Sequence, residues 1–527
     1  MWRGPAGGGD AGHRVRLDEP AEFDLGPGGE AAAAPSQASV ESGRPPSASR
    51  SIMLSMGGQL ATTLASLVST VVLARILTPA DFGAFAFAAT IFAVVQWLLQ
   101  VGMGNYILRE AELTQAKING AVAITCAQGL LGSVIVLLLA PAAGWFSNYG
   151  PVGWVTASVA IVPLLGSAEA ISDALWLRHG RYGRTALLQV AKAAVQSLVS
   201  IGCQLLFHWG VFALAAGLVA NALTAFVAAG ASLVLEYRAR PVIERELRGT
   251  LTTFGGKTFL LTVAQVISLR LPDLLIGRLL SVSVLGHYSR ATNTTEMFVR
   301  TTSAAVVRAT APRFYASVHE GVPMPEAVIR YCDVLLFFMW PGLAGLAVLS
   351  QPVIQLVYGP QWTIAGEALP LLCLVCAIDA ARTGGMEVLL VRDRLGLNAR
   401  LEMVHGVYAL LLVIVLAPFG LKAVLWGKVA DSMLTLILYL LAMRSLGAHS
   451  LRRVPWLIGS NALLALAAGG PALLLMQAWG WPTMLNATRF AEAIAAGVAA
   501  WGLLLIGIGH PLGRKGLEMV GRRLRPA

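Results

Sequence analysis

The stretch of sequence that decides the fold occurs twice, as LARILTPADFGAFAFAAT at Leu73–Thr90 and as IGRLLSVSVLGHYSRATN at Ile276–Asn293. In each copy an apolar run ends at an arginine, passes through a short polar turn and restarts after a glycine and an aromatic residue. Aligned without a gap, the copies match Arg75 with Arg278, Leu77 with Leu280, Thr78 with Ser281, Gly83 with Gly286 and Phe85 with Tyr288. The copies lie about 200 residues apart, which is enough for six membrane spans each, so we predict a duplicated six-helix unit.

The composition is that of a polytopic membrane protein. The chain is 56% apolar and only 13% charged, its mean hydropathy is +0.69, and a soluble domain carries about 25% charged residues. The net charge of +11 would favour nucleic acid as a partner in a soluble protein. Here the basic residues cluster in short loops between apolar runs, where the positive-inside rule accounts for them without a polyanionic partner.

Apolar runs of about 20 residues recur from Ile52 almost to the C-terminus, and each can cross the hydrocarbon core. They predict an all-α fold of about 14 transmembrane helices. The predicted spans are 52–76, 82–107, 118–139, 152–172, 186–207, 211–235, 257–280, 285–310, 330–350, 365–390, 401–418, 420–443, 456–478 and 489–509.

The loops predict the orientation. Even-numbered connections are rich in arginine and odd-numbered ones nearly lack basic residues, with Lys422 as the clear exception. This alternation places both termini in the cytoplasm. Arginine greatly outnumbers lysine, and alanine and glycine are abundant, which indicates a GC-rich bacterial genome. We predict a multi-pass protein of the bacterial cell (inner) membrane.

Six spans per repeat is an even number, so both copies should enter the membrane in the same direction, with a cavity between two lobes. We predict a disordered cytoplasmic tail over 1–50, lobes over 51–250 and 251–445, helices 13 and 14 within 446–510, and a basic tail over 511–527. Whether residues 1–50 belong to the native protein stays open.

Charged side chains inside the second lobe are candidate substrate-binding residues, because a charge at mid-bilayer costs at least about 2.5–3.5 kcal/mol on insertion scales. In span 7, Arg270 and Asp273 lie three residues apart and can either pair with each other or contact a substrate. In span 8, Arg290 can extend toward the membrane surface, whereas Arg300 lies deeper and has Glu296 one turn before it.

Two further spans carry polar side chains. Span 10 contains Asp379 and Arg382, and span 5 carries Gln189, Lys192 and Gln196 on one face. Arginine is thus the preferred deep charge of the second lobe, and its guanidinium suits phosphate better than it suits a proton. Cys373 and Cys376 form a CxxC, but it lies within continuous apolar sequence, so these thiols are expected to behave as small apolar side chains, and we predict no metal site or cofactor.

Four motifs resemble sequences of the polysaccharide transporter family, the lipid-linked oligosaccharide flippases of the multidrug/oligosaccharidyl-lipid/polysaccharide exporter superfamily. They are ARILTPADFG (Ala74–Gly83), VGMGNYILRE (Val101–Glu110), DLLIGRLLSVSVLGHYSRA (Asp273–Ala291) and VYGPQWTIAGEALPLL (Val357–Leu372). The resemblance covers about Ser51–Arg444. One departure lies in span 8, where Glu296 and Arg300 replace the apolar and proline residues usual in that family.

The resemblance implies two six-helix lobes around a cationic cavity, two further helices, and export of an undecaprenyl-diphosphate-linked glycan by alternating access. In this interpretation basic residues hold the diphosphate, and the polyprenyl chain stays in lipid at a gap between the lobes. The candidate substrate-binding residues are Arg270 with its neighbour Asp273, Arg290, Arg300, Arg382 and Lys192. The expected partners are the lipid-linked substrate, membrane lipids, and the polymerase and chain-length machinery of polysaccharide synthesis.

Two other functions compete with this hypothesis. A multidrug or cation antiporter of the same superfamily would require a buried acid in span 1, and Met53–Leu73 contains none. A membrane glycosyl polymerase or acyltransferase would require a catalytic histidine or acid in a sizeable outer loop. The outer loops are short, and their histidines His208 and His287 stand alone, so we expect a transporter and not an enzyme. The sequence leaves open the glycan, the coupling ion and the oligomeric state.

Overall fold

The computed structural model of the chain describes residues 48–99, 102–242, 266, 268, 270–319, 324–391, 394–445 and 454–508. Within these residues the secondary structure consists of α-helices and two short 3-10 turns, Pro360–Trp362 and Ala417–Phe419. The predicted all-α fold class is therefore confirmed. The two predicted tails, 1–50 and 511–527, fall almost entirely outside the described residues.

Eight helices make up what we call the first half of the molecule. They are α1 (Ala48–Ile76), α2 (Pro79–Leu99), α3 (Met103–Arg109), α4 (Gln115–Phe146), α5 (Gly150–Ser158), α6 (Val162–Arg178), α7 (Tyr182–Phe207) and α8 (Val211–Leu235).

Seven described helices make up the second half, and two more form a C-terminal pair. The second half contains α9 (Leu271–Leu279), α10 (Val282–His319), α11 (Met324–Val348), α12 (Ser350–Tyr358), α13 (Thr363–Val391), α14 (Leu395–Leu416) and α15 (Leu421–Ser445). The C-terminal pair is α16 (Val454–Ala478) and α17 (Ala487–Ile508).

Eleven helices of the described residues are long and apolar enough to cross a membrane, or twelve if the bent pair α5–α6 is one span. The count of fourteen is not reached, for two reasons. Nearly half of predicted span 7 (257–280) lies outside the described residues, which include α9 as its last part. Predicted span 8 corresponds to α10, which has 38 residues but carries arginine, glutamate and threonine side chains that lower its hydropathy.

Two predicted spans are broken rather than continuous. Predicted span 2 (82–107) is divided into α2 and α3, because the chain turns at Gly102, whose φ of 66° lies in the left-handed region that favours glycine. Predicted span 4 (152–172) is divided into α5 and α6, which meet at an angle of 41°. Pro163 lies in the first turn of α6, where the missing N–H of proline costs no helix hydrogen bond.

The two halves meet mainly where α2 packs against α10. In the first half α7 packs against both α1 and α8, and in the second half α13 packs against α11 and α15. The C-terminal pair joins the second half through the contact of α16 with α11. Large apolar side chains such as Leu138, Leu206 and Leu235 are exposed on the outer faces of these helices, as expected for surfaces that contact lipid.

Candidate functional site

The two copies of the repeat contact each other where α2 crosses α10. A Cβ atom added to Gly83 would lie 1.7 Å from the carbonyl oxygen of Val282, and one added to Gly286 would lie 1.9 Å from that of Pro79. Pro79 and Val282 are themselves aligned positions of the repeat, so each copy offers the same two residues to the other, as in a two-fold interface. Both positions require glycine because the backbones approach too closely for any side chain.

The two copies also begin their second helices in the same way. The Thr78 hydroxyl accepts a hydrogen bond from the Asp81 N–H at 3.2 Å, at the start of α2. The aligned Ser281 hydroxyl accepts one from the Val284 N–H at 3.1 Å, at the start of α10. Each hydroxyl satisfies a backbone N–H that has no partner within its helix, so the polar turn seen in both sequences is an N-cap.

The C-terminal end of α1 is held by the second half. The Trp362 indole donates to the Ala74 carbonyl at 2.9 Å, and the Gln361 amide donates to the same oxygen. In the opposite direction, the Arg75 guanidinium donates to the Leu356 carbonyl at 2.7 Å. The end of α1 therefore contacts α12 and the segment between α12 and α13, and these hydrogen bonds connect the two halves.

Arg278, which the repeat aligns with Arg75, also reaches the opposite half. Its guanidinium carbon lies 5.6 Å from the centroid of the Phe146 ring at the end of α4. Both arginines thus end an apolar run and cross to the other half. Their predicted equivalence stays a prediction, which a superposition of the two halves would test.

Arg290 lies at this same contact and is 9% exposed. Its guanidinium carbon lies 4.4 Å from the centroid of the Phe82 ring on α2. Its Nε is buried without a hydrogen-bond partner, and no described carboxylate lies within 4 Å of the guanidinium. Phe82 contacts Trp362 edge-on at 5.4 Å, and Trp362 contacts Tyr358 at 6.2 Å. Arg290 is therefore a buried cation that lies against an aromatic ring and donates to the Ser289 hydroxyl at 3.5 Å.

Arg270 contacts the other end of α2. Its guanidinium carbon lies 4.9 Å from the centroid of the Trp97 ring, and its Nε is buried without a hydrogen-bond partner. Phe82 and Trp97 are fifteen residues apart, or roughly 22 Å along an α-helix. In this conformation Arg270 and Arg290 contact α2 at positions too far apart for one diphosphate to contact both.

Asp273 does not form the ion pair with Arg270 that their three-residue spacing permits. No ion pair within 4 Å joins it to Arg270, although both residues are described. Its strongest attractive charge interaction is with Lys428 of α15, followed by that with Arg270. Lys428 in turn donates to the Tyr288 hydroxyl of α10 at 2.7 Å.

Arg300 is exposed on α10, and so is Glu296 one turn before it. The neutralising pair that their spacing permits is not formed within 4 Å in the described structure. Arg300 is therefore not neutralised by Glu296, and it lies ten residues along the same helix from Arg290.

Arg382 has carboxylate partners on two helices. Its guanidinium lies 2.8 Å from Glu402 of α14 and 3.7 Å from Asp379 of its own helix. Glu402 also accepts from the Tyr439 hydroxyl at 2.8 Å and faces His405 at 3.5 Å. The charge of Arg382 is thus compensated within the second half.

The cluster around Arg382 continues to α15 and borders a cavity. The Nε2 of His405 lies 2.9 Å from the Asp431 carboxylate. A cavity of about 100 Å³ adjoins these groups, and its polar lining comprises Ser268, Asp379, Arg382, His405, Lys428, Asp431 and Ser432. We call the residues Asp379, Arg382, Glu402, His405, Lys428 and Asp431 the charge cluster.

Lys192 in the first half is also paired. Its ammonium group forms an ion pair with Glu169 of α6, and the Gln189 amide donates to the same carboxylate at 3.0 Å. Asp173, one turn further along α6, lies within electrostatic range of Lys192. The pairing joins α6 to α7 and does not bring Lys192 to any of the arginines of the second half.

A larger, apolar cavity lies between the second half and the C-terminal pair. Its volume is about 460 Å³, and helices α10, α11, α16 and α17 line it. The lining combines aromatic side chains with glycines: Phe298, Phe337, Phe490 and Trp501 lie beside Gly342, Gly345 and Gly497. Such a surface fits a hydrocarbon chain better than a polar ligand.

Sequence reasoning missed Glu402, His405, Lys428 and Asp431, and it named Lys192 without its partner Glu169. A signal was present, because Glu402 and His405, like Lys428 and Asp431, are three residues apart inside predicted spans 11 and 12 and so share a helix face. Which of these acids would meet Arg382 depends on how three helices pack, and no spacing within one helix contains that information.

The described residues contain no group of three or more histidine, cysteine or acidic side chains arranged to hold a metal ion. Cys373 and Cys376 are free thiols on α13, and Cys373 is buried in the apolar core.

The chain resembles known proteins over much of its length. The family model described as polysaccharide biosynthesis protein matches residues 72–366, more than half of the chain. The succinoglycan biosynthesis transport protein ExoT of Rhizobium meliloti (strain 1021) is 27% identical over 320 residues, which cover 58% of this chain and 62% of that protein. The lipopolysaccharide biosynthesis protein WzxC of Escherichia coli (strain K12) is 21% identical over 325 residues, which cover 60% of this chain and 64% of that protein. The chain thus matches less than two thirds of the length of either relative.

Among solved structures, the lipid II flippase MurJ in its inward closed conformation is similar in fold. The TM-score is 0.69 at 12% identity, and the match covers 87% of this chain and 99% of that one. At this identity the likeness concerns the fold alone. Together with the apolar helices, the family match identifies a multi-pass membrane protein.

Proposed function

The chain belongs to the polysaccharide biosynthesis protein family, and we propose that it is a flippase for an undecaprenyl-diphosphate-linked oligosaccharide. In this proposal the substrate moves from the cytoplasmic to the periplasmic leaflet of the bacterial inner membrane. The names of two relatives, a succinoglycan transport protein and a lipopolysaccharide biosynthesis protein, support a polysaccharide precursor as cargo. The similarity in fold to a lipid II flippase supports a lipid-linked precursor.

The observation that carries the proposal is the state of Arg290. A buried cation normally has an acid beside it, because removing a charge from water costs several kcal/mol in a protein. Arg290 instead lies against the Phe82 ring with an unused Nε. A guanidinium without a carboxylate partner is free to form paired hydrogen bonds with the two phosphates of a diphosphate.

Arg290 becomes accessible if the halves separate. Its cover is α2, which packs on α10 through the Gly83–Gly286 crossing. We infer that this crossing opens during transport, in line with alternating access of two six-helix lobes over 51–250 and 251–445. Arg300, exposed on the same helix, and Arg270, near the other end of α2, would contact the substrate along its path rather than at the same moment.

The apolar cavity supports a lipid chain as part of the cargo. It opens between α10 and the C-terminal pair, and α10 is the helix that carries Arg290. A polyprenyl chain lying there would keep its hydrocarbon out of the polar space between the halves. The proposal also includes fourteen spans with both termini in the cytoplasm, a transport role without catalysis, and coupling to polymerase and chain-length machinery. Cysteine labelling of residues 237–242 from the periplasmic side would contradict this orientation.

The test replaces Arg290 in a strain whose own copy of the gene is deleted. We expect Arg290→Met to lower cell-surface polysaccharide at least tenfold, with lipid-linked intermediates accumulating in the cell and normal protein in the membrane. Arg290→Lys should recover part of the export, because lysine keeps the charge but lacks the bidentate guanidinium. Surface polysaccharide and lipid-linked intermediates are measured together, so a block in export is separated from a block in synthesis.

Arg308, exposed on the same helix, provides the matched control, and Arg308→Met should export normally. Normal export by Arg290→Met, at equal protein level, would refute diphosphate binding at this position.

A further inference from the structure

His405 lies between two carboxylates that come from different helices. Its Nε2 is 2.9 Å from Asp431 on α15, and its Nδ1 is 3.5 Å from Glu402 on α14. A neutral imidazole carries one N–H and can donate to only one of two such acceptors, whereas the imidazolium donates to both. The geometry therefore accommodates both protonation states of the ring, and the doubly protonated state makes full use of the two acids.

The net charge of the groups around His405 depends on whether the ring is protonated. The helices packed against α14 are α9, α13 and α15. They contribute the acids Asp379 and Asp431 and the cations Arg382 and Lys428, and α14 contributes Glu402. Three carboxylates and two fixed cations leave one negative charge, which a protonated His405 cancels.

The remaining charges near the cluster do not alter that balance. Asp273 at the start of α9 attracts Lys428 most strongly and Arg270 next, and Asp273 and Arg270 together add no net charge. Glu296 is exposed on α10 and lies outside the packed cluster. Tyr439 of α15 is neutral and donates to Glu402.

The cluster contains unused polar atoms and adjoins an open space. The Nδ1 of His405 faces Glu402 at 3.5 Å without forming a hydrogen bond, and the Oδ1 of Asp431 is buried without a hydrogen-bond partner among the described residues. The cavity of about 100 Å³ beside them is polar and has room for several water molecules. A polar cavity of this size can hold water, and water there would give a proton a route to the ring.

The cluster is connected to the contact between the halves by one side chain. Lys428 lines the cavity and donates to the Tyr288 hydroxyl of α10 at 2.7 Å. Two residues further along α10 lies Arg290, against α2. Lys428 is within electrostatic range of Asp431, the acid paired with His405. When His405 loses its proton, Asp431 attracts Lys428 more strongly, so the hold of Lys428 on Tyr288 and α10 depends on the state of the ring.

We propose that His405 binds and releases a proton that couples the movement of α10 to the transport cycle. This inference rests on the proposed flippase function and deepens it by assigning the coupling ion and its site. One N–H bond forms on the imidazole when water in the cavity delivers a proton, and it breaks when the proton returns to water. The fixed cations Arg382 and Lys428 neutralise the acids that a bound metal cation would otherwise have to neutralise.

The direct test does not depend on the glycan. The full chain, labelled with 15N-histidine and reconstituted in lipid nanodiscs, is titrated between pH 5 and pH 10 by NMR, and His405 is assigned as the signal missing from His405→Gln. We expect this signal to change from a doubly to a singly protonated ring as the pH rises, and Asp431→Asn to move the change to lower pH. A His405 ring that stays in one protonation state throughout would overturn the proposal.

The second test separates a coupling role from a purely structural one. We expect both His405→Gln and His405→Lys to lower surface polysaccharide at least tenfold at normal protein level, because neither residue exchanges a proton in this range. If His405 only balances charge, lysine should restore export, and that result would refute the proposal. The control is His208→Asn, at an exposed histidine with φ of 55°, a conformation that asparagine adopts readily.

The two hypotheses fail in different ways. If the chain is not a flippase, the wild-type gene does not restore surface polysaccharide to the deletion strain, whatever the state of His405. If only the coupling proposal is wrong, the wild-type gene restores export and His405→Lys does so as well.

Discussion

Arg290 and Arg382 occupy opposite kinds of surroundings. Arg382 lies inside the second half with Glu402 at 2.8 Å and Asp379 at 3.7 Å. Arg290 lies between the halves, against an aromatic ring, with no described acid within 4 Å. An arginine that is paired with acids of neighbouring helices holds those helices together. An arginine without an acid partner can instead bind an anionic ligand.

The largest effect on stability is expected for the replacement of Arg382, and a smaller one for the replacement of Arg290. Arg382→Met leaves the buried Glu402 carboxylate without its cation, which costs about 3–5 kcal/mol for a buried pair. Arg290→Met leaves no acid unpaired and loses its contact with the Phe82 ring, which is worth about 0.5–2 kcal/mol, so it should destabilise less than Arg382→Met even though export fails. Thermal unfolding of the purified variants in detergent, together with their level in the membrane, measures both.

Two further variants complete that experiment. Arg400→Met, at an exposed position of α14, is the control and should unfold like the wild type. Combining Arg382→Met with Glu402→Gln should recover part of the loss, because one unpaired charge is removed. Equal destabilisation by Arg290→Met and Arg382→Met would contradict the distinction between the two regions.

An intermediate effect is expected at the crossing of the repeats. A methyl group on Gly83 or Gly286 meets a carbonyl oxygen of the opposite copy, and overpacking of this kind costs about 1–3 kcal/mol. Because each copy offers the same residues, Gly83→Ala and Gly286→Ala should lower the unfolding temperature by similar amounts. Gly166→Ala, at a helical glycine with open space around its Cβ, is the control and should have no such effect. Strongly unequal effects of the two substitutions would show that the contact is not symmetric.

The smallest effect is expected where an ion pair is exposed. Glu236 follows α8 and receives hydrogen bonds from Arg184 and Arg181, which lower the pKa of its carboxyl below its ordinary value of 4.5. A lowered pKa means that the pair stabilises the fold above pH 4.5 and that this contribution is lost as the pH falls through the lowered value. Glu236→Gln should therefore reduce the unfolding temperature slightly at pH 7 and not at the acidic end of the titration.

Glu112 supplies the comparison for that measurement, since it is exposed and its side chain has no ion pair among the described residues. The effect is small because solvent screens an exposed pair. An effect of Glu236→Gln as large as that of Arg382→Met would contradict the assumption that burial decides the strength of these pairs.

The sequence by itself determined the fold class, most of the helices and the family. Apolar runs of fixed length can be read locally, because a membrane requires each span to satisfy its own backbone. The repeat was also readable, and its aligned glycines Gly83 and Gly286 are the two that meet in the structure. The breaks within predicted spans 2 and 4 were missed, because apolar composition continues through Gly102 and Pro163.

Only the tertiary structure decided which charges are partners. Asp273 follows Arg270 by three residues, yet its strongest attraction is to Lys428, about 150 residues further along the chain. Arg382 meets Glu402 of the next helix, and Lys192 meets Glu169 of the preceding one. Spacing within a helix fixes which face a side chain occupies, but the charge it meets depends on the helix packed against that face. For the same reason the sequence named Arg290 and Arg382 together, and the packing of α2, α14 and α15 made one a free cation and the other part of a cluster.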